Sequence, residues 1–319
     1  MTGAPAVGAI LVPLFACVAL GALAGWQRLF GLAEARVLSR FVFLIAMPIA
    51  VLDFMRAAEP PGLAYAGLIA GYLLAMLAAS GAALVIARRL VGLGVRDAGA
   101  AVFASVCGNA VFLGLPIALS VSGWGPPFLI LMLCEGLFVF ALGTALMTWP
   151  LPGSAPPRGG VAGTAALAGY RAARNPIVIA TLIGLGLAIV RVALPRPVAG
   201  FLDLFGGIAG PAGLFVLGLY VAILPRETKG VDARALAALL PVKLVLFPAL
   251  AGGLVWLLTR DLVFASVALL FTALPPAVAS VVQSAHYRAY EAGTAALVAV
   301  GTLFGLGTTT LLLVVLLAS

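Results

Sequence analysis

The chain has 319 residues, of which 64% are hydrophobic and 9% charged, with a formal net charge of +8. A soluble domain carries about 25% charged residues, and no fold of this size has an interior large enough to hide so much apolar surface, so lipid is the expected solvent. The charge does not mark a nucleic-acid binder, because the basic residues fall in short loops between apolar runs and form no patch interleaved with aromatics.

A helix needs about 20 apolar residues to cross a hydrocarbon core about 30 Å thick. The first such run covers 6–26. Its Ala22-Leu23-Ala24 looks like a cleavage site, but residues 1–10 hold no Lys or Arg and a secretory signal needs a basic start, so the run reads as a true span. Further runs follow at 37–55, 62–87, 98–121 and 126–149. Residues 150–175 contain LPGSAPPRGG and GTAALAGYRAARN, and their Pro and Gly mark a linker. Five more runs cover 176–194, 201–224, 233–258, 262–284 and 293–317. Backbone groups in lipid must bond within their own segment, so the runs are helices; the alternating ten-residue strands of an outer-membrane barrel are not seen. The cysteines Cys17, Cys107 and Cys134 all lie inside apolar runs without metal or redox spacing and read as small core residues.

Basic residues set the direction. The loops after spans 1, 3, 5, 7 and 9 hold Arg28, Arg36, Arg40, Arg88, Arg89, Arg96, Arg158, Arg171, Arg174, Arg226, Lys229, Arg234 and Arg288. The loops after the even spans hold Arg56, Arg191, Arg196 and Arg260. This imbalance puts the odd loops in the cytoplasm of an inner-membrane protein, with both termini outside. With five spans on each side of the linker, the second half enters from the opposite face, which is the condition for an inverted repeat and a secondary transporter. The expected architecture is thus all-α, with ten transmembrane helices in two inverted five-helix repeats, 1–149 and 176–319, joined by a cytoplasmic linker.

An inverted repeat predicts matched irregularities. Span 4 carries CGNAVFLGLP, with Gly108, Asn109, Gly114 and Pro116; span 9, its counterpart, carries FTALPPAVASVVQ, with Pro275 and Pro276. Proline removes a backbone N–H and disturbs the preceding turn, and the freed groups are tolerated at mid-membrane only against protein or a cavity. Half-helices starting near Pro116 and after Pro275-Pro276 would present N–H groups and partial positive charge to one point, an anion site. Asn109 adds a neutral amide donor. No Asp or Glu lies between Asp97 and Glu135 or between Asp261 and Glu291, so the crossing suits an anion rather than a cation.

NAVFLGLP resembles the N-x-x-x-x-G-[IL]-P segment of the auxin efflux carrier family, which includes plant auxin carriers and bacterial malonate- or malate-type permeases. ALGALAGWQRLFGLAEARVLSRFVFLIAMPIAVL is similar to that family's first two spans, RNPIVIATLIGLGL to its sixth, PAGLFVLGLYVA to its seventh and PVKLVLFPAL to its eighth. ALPPAVASVVQSAHYRAYEAGTAALVAVGT is similar to its ninth and tenth. The resemblance covers nearly the whole chain. It implies crossed, broken helices 4 and 9, a scaffold from the first two helices of each half, a mobile domain from the other three, and a homodimer. It carries the carboxylate site over to Asn109, Gly114, Pro116 and Pro275. The short central loop and the Pro-Pro pair depart from the plant members.

Gly108, Pro276, Ser105 and Gln283 complete the candidate substrate site. Glu135, inside span 5, is expected to take up a proton or to neutralise Lys243 or a nearby Arg. Lys243 is placed near the cytoplasmic end of span 8, where it would snorkel or meet an anion. Asp53 sits at the outer end of span 2, interfacial or part of charge coupling. Ser105, Thr272 and Ser280 flank the breaks, with hydroxyls expected on preceding carbonyls of their own helices. The one histidine, His286, falls in a loop, and no H-E-x-x-H motif is present, so neither an enzyme nor a metal or cofactor is expected. The leading expectation is an elevator-type carrier of small carboxylates such as malonate, malate or auxin-like acids. The alternative is a sodium-coupled organic-anion symporter of the bile-acid type.

Overall fold

The computed structural model describes residues 4–57, 62–149, 176–191, 194–227 and 233–318, with scattered positions between 163 and 174. Most of the expected linker lies outside the described residues. Regular structure among the described residues is all helical apart from one isolated bridge, with short turns between the helices. We label the helices α1 (Ala4–Trp26), α2 (Leu32–Ala57), α3 (Leu63–Arg89), α4 (Val95–Val106), α5 (110–120), α6 (Gly125–Met147), α7 (Pro176–Val190), α8 (Arg196–Glu227), α9 (Ala233–Thr259), α10 (Leu262–Ala273), α11 (Val278–Tyr287) and α12 (Glu291–Ala318).

Six of these are long and apolar enough to cross a membrane: α2, α3, α6, α9, α12 and the Arg196–Ile223 part of α8. Spans 1 and 6 of the sequence reading are α1 and α7. The fourth and ninth are each in two pieces, α4 with α5 and α10 with α11, so neither is one continuous rod.

Prolines inside apolar helices are accommodated by a repeated device. Pro48, Pro116 and Pro248 each stand two residues after a five-residue π-helical turn: Val42–Ala46, Ala110–Gly114 and Val242–Leu246. In each turn the donor reaches back five residues, as in Met47 N–H to Val42 and Phe247 N–H to Val242. The widened turn shifts the bonding register just where proline has no N–H to offer. A fourth π turn, Glu135–Val139, has no such proline and places Glu135.

Two groups of helices form. In the first, α1 packs along α8 and α7 along α2, while α8 also touches α2. In the second, α3 packs on α9 and on α4, α9 on α10, α4 on α6, and α11 on α12. Glycines make the closest approaches possible. A Cβ at Gly218 would overlap the Val18 carbonyl oxygen, and one at Gly21 that of Phe215, so α1 and α8 touch backbone to backbone. In the second group, Gly71 of α3 meets Val255 of α9, with a built Cβ only 2.9 Å from the Val255 nitrogen.

The α1–α8 contact gives a direct test. Gly218→Ala forces the two backbones apart, and overpacking of this kind costs about 1–3 kcal/mol. The purified protein is expected to melt several degrees lower, read by tryptophan fluorescence, whereas Gly207→Ala on the same helix, with open space around its Cα, leaves the midpoint in place.

Candidate functional site

The helix α4 ends at Val106, and Cys107 turns extended with φ −82° and ψ 121°. α10 ends at Ala273, and Leu274 is extended with φ −55° and ψ 145°, the conformation imposed on a residue before proline. The two extended segments run past each other antiparallel. Asn109 N–H donates to the Pro275 carbonyl at 2.9 Å, and Ala277 N–H donates to the Cys107 carbonyl at 3.1 Å. Gly108 and Pro276 stand opposite each other between these bonds. This is the non-hydrogen-bonded position of an antiparallel pair, where neither residue is asked for a donor. Pro276 therefore loses nothing by lacking an N–H.

Gly108 does have one, and it points out of the pair. It donates to Glu135 Oε1 at 2.8 Å. Glu135 is buried (6% exposed). Across the crossing, Lys243 is 1% exposed and donates through Nζ to the Thr272 carbonyl at 2.9 Å, near the C-terminal end of α10. Its Nζ also lies 5.4 Å from the centre of the Phe247 ring. A Cβ built on Gly108 would come within 3.3 Å of that Nζ. Glu135 and Lys243 thus both attend Gly108 without forming a direct ion pair within 4 Å. Lys243 does not snorkel; it sits at the heart of the crossing, because the terminal carbonyls of a broken helix attract a cation.

Beside the crossing is a cavity of about 20 Å³ for the centre of a water-sized sphere. Gly108, Asn109, Ala110 and Val111 line it from one broken helix, Ala277, Val278 and Ala279 from the other, with Met47 of α2 and Glu135 and Phe140 of α6. Apart from Ser280 N–H, which donates to the Ala277 carbonyl at 2.9 Å, the first-turn N–H groups of α5 and α11 have no carbonyl in their own helices, so two electropositive helix ends border one space. Asn109 is 3% exposed, and its Nδ2 has no hydrogen-bond partner. The Ser280 hydroxyl, in the first turn of α11, is also buried without a partner. A space of this volume admits about one water molecule, too little for a dicarboxylate.

Several expected positions change role. The break in the first rod lies at Cys107–Asn109, not at Pro116, which falls inside the α5 helix; Asn109 is the residue at its N-terminus. Gly114 is a packing position: a Cβ there would overlap Leu274 and Phe128 side chains. Pro275 and Pro276 rest on α12, where Cβ atoms at Gly305 and Gly301 would come within 2.9 and 2.7 Å of their rings. The Ser105 hydroxyl donates to Ala101 O at 2.8 Å and that of Thr272 to Ala268 O at 2.7 Å, both within their own helices. Ser280 does not follow that pattern. Gln283 is buried on α11 (5% exposed) away from the cavity lining. Asp53 accepts from Arg56 at 2.8 Å three residues on and is not brought to the crossing. The side chain of His286 lies outside the described residues. Met47, Ala277, Val278 and Ala279 are not singled out by the sequence, because apolar side chains in an apolar run give no chemical signal.

The family model described as "Membrane transport protein" matches residues 7–149 and 165–313. Among curated proteins, one from Rhizobium meliloti (strain 1021), named "Putative malonate transporter", is 26% identical over 219 residues, 66% of this chain and 65% of that protein. The match thus spans just under two thirds of that relative's length.

The electrostatics of the crossing are open to measurement. Glu135→Gln keeps an acceptor for Gly108 N–H but removes the charge, and Lys243→Met removes the other. Each alone strands a buried charge at a cost of about 3 kcal/mol or more, whereas the double variant strands none. Thermal unfolding in detergent is expected to place the double variant above the sum of the two single losses.

Proposed function

We propose, from the premise that this chain belongs to the membrane transport protein family of auxin efflux carriers, that it is a secondary transporter of small organic anions of the malonate or malate class. The observation that carries this reading is the pairing of two half-helix N-termini with an unpartnered, buried Asn109 amide at one cavity. A carboxylate brought there would accept from Nδ2 of Asn109 and from the first-turn N–H groups of α5 and α11, and would stand at two positive helix ends. Ser280, whose buried hydroxyl has no partner, stands one residue beyond the cavity-lining Ala279. The name of the Rhizobium relative points to the same class of ligand.

The helix contacts support reading the chain as two inverted halves. α1 on α8 and α7 on α2 are the same pairing with the halves exchanged, as are α3 on α4 and α9 on α10, while α3 on α9 pairs equivalent members. The first group of helices would form the scaffold and the second a transport domain. The cavity lies where α2 of the scaffold meets the crossing, so sliding the second group past the first would carry the bound anion across, in an elevator cycle. The bias of basic residues towards the odd loops supports both termini lying outside an inner membrane, and we take the assembled form to be a homodimer. An inside-negative potential favours exit of an anion by about 2.3 kcal/mol per charge per 100 mV, so export needs no partner ion.

Counterflow of labelled malonate into proteoliposomes tests the reading. Asn109→Ala is expected to lower the rate by about tenfold or more, the loss of one charge-assisted hydrogen bond and the burial of a carboxylate without its donor. Ser280→Ala is expected to have a smaller effect. Unchanged counterflow in Asn109→Ala would remove the crossing from the binding site.

A further inference from the structure

Lys243 has the position and the company of a bound cation. Its Nζ donates to the Thr272 carbonyl at 2.9 Å, and both Nζ and the Phe271 carbonyl oxygen border Gly108, each 3.3 Å from a Cβ built there. The Thr309 hydroxyl takes the next carbonyl, that of Ala273, at 3.3 Å. In transporters with broken helices, half-helix C-terminal ends and unwound carbonyls are where a coupling cation is held. Here that end of α10 already holds an ammonium, with the Phe247 ring 5.4 Å from Nζ and the Glu135 carboxylate bonded to the N–H of Gly108. The other titratable groups in this cluster are Cys107 and Tyr72, both neutral when protonated and both buried.

We propose that Lys243 is a tethered cation that takes the place of a coupling sodium ion at the crossing, making the carrier independent of sodium. An ammonium with three donors satisfies the terminal carbonyls of α10 as a sodium ion would, and it cannot dissociate. It keeps the crossing neutral together with Glu135. It therefore holds α10 against the extended 107–109 segment in every position of the cycle, so the anion site is ready without loading an ion first. This rests on the transport reading above and selects against its sodium-symport form.

Two measurements separate the inference from that reading. In proteoliposomes, malonate counterflow by the unaltered protein is expected to change by less than about twofold when sodium is replaced by choline at constant ionic strength; a drop of about tenfold or more overturns the proposal. Lys243→Ala is expected to lose counterflow and to regain part of it with methylammonium or sodium, which can enter the vacated carbonyl end; full counterflow in Lys243→Ala without any added cation overturns it. The second measurement needs no flux. Sodium, compared with choline, is expected to leave the melting temperature of the unaltered protein in place and to raise that of Lys243→Ala. Sodium-specific stabilisation of the unaltered protein overturns the proposal even where Lys243→Ala does not fold. Absence of malonate counterflow in every preparation, with the melting result as expected, would fault the substrate reading and leave the tethered cation standing.

Discussion

Two backbone hydrogen bonds, from Asn109 to Pro275 and from Ala277 to Cys107, are the constraint on which the centre of this protein depends. A helix interrupted inside a membrane leaves donors and acceptors that lipid cannot satisfy. Two interruptions laid antiparallel satisfy part of each other. The residues between the bonds are then fixed in kind. Opposite Pro276 the partner must allow close approach, and Gly108 does so with no side chain. Proline at 276 is not a defect at this position but removes the one outward N–H that would otherwise need an acceptor. The outward N–H of Gly108 remains, and Glu135 is placed to take it. The asymmetry between the two rods, an acid beside one and none required beside the other, follows from Gly against Pro at matched positions.

The same accounting explains the π turns. Three of them precede prolines in α2, α5 and α9, and the third contains Lys243 itself. A π turn is costly and short-lived in isolation, and it persists where the surroundings use its geometry. In α9 it reconciles Pro248 with the helix and turns Lys243 towards the end of α10. In α6 the Glu135–Val139 turn has no proline to serve, and its use is the aim of the carboxylate at Gly108. Both charges that attend the crossing therefore stand on widened turns of otherwise regular helices.

Much of this was legible in the residues, and the rest was hidden for definite reasons. Length and hydropathy gave helical spans, because crossing a hydrocarbon layer demands both. Pro275-Pro276 located the second interruption directly. In the first rod Pro116 was the loudest residue and the wrong one: a π turn absorbs its missing donor, while the break falls at Gly108-Asn109, where glycine and an amide give a quieter signal. A lysine in an apolar run usually reaches for water or meets an anion, and these are the two roles the sequence suggests for Lys243; only the fold shows the carbonyl end of a distant helix, 29 residues on in sequence, within its reach. Asn109 stands out in the sequence because an amide in a span has few innocent uses. Ser105 and Thr272 behaved as helix hydroxyls generally do, and Ser280 did not because the preceding residues, Pro275 to Ala277, are not helical and offer no regular carbonyl four positions back.

The cavity at the crossing is smaller than any dicarboxylate, and the walls say which part must give. On one side are backbone segments pinned by the paired bonds and by the two buried charges. On the other is Met47 of α2, and a second small space of about 10 Å³ continues past Val278 and Ala279 to Ser39, Val42, Phe43, Gly213 and Val216 of α2 and α8. Among the described residues no hydrogen bond of the crossing reaches those two helices, and the residues of α11 that face them are Val278 and Ala279, small and apolar. An interface of this kind has no directional bonds to break and presents little relief to obstruct sliding. The rigid side of the site thus belongs to one group of helices and the smooth side to the other. That division is what the elevator cycle proposed above requires, in which the anion stays bound while one group moves against the other.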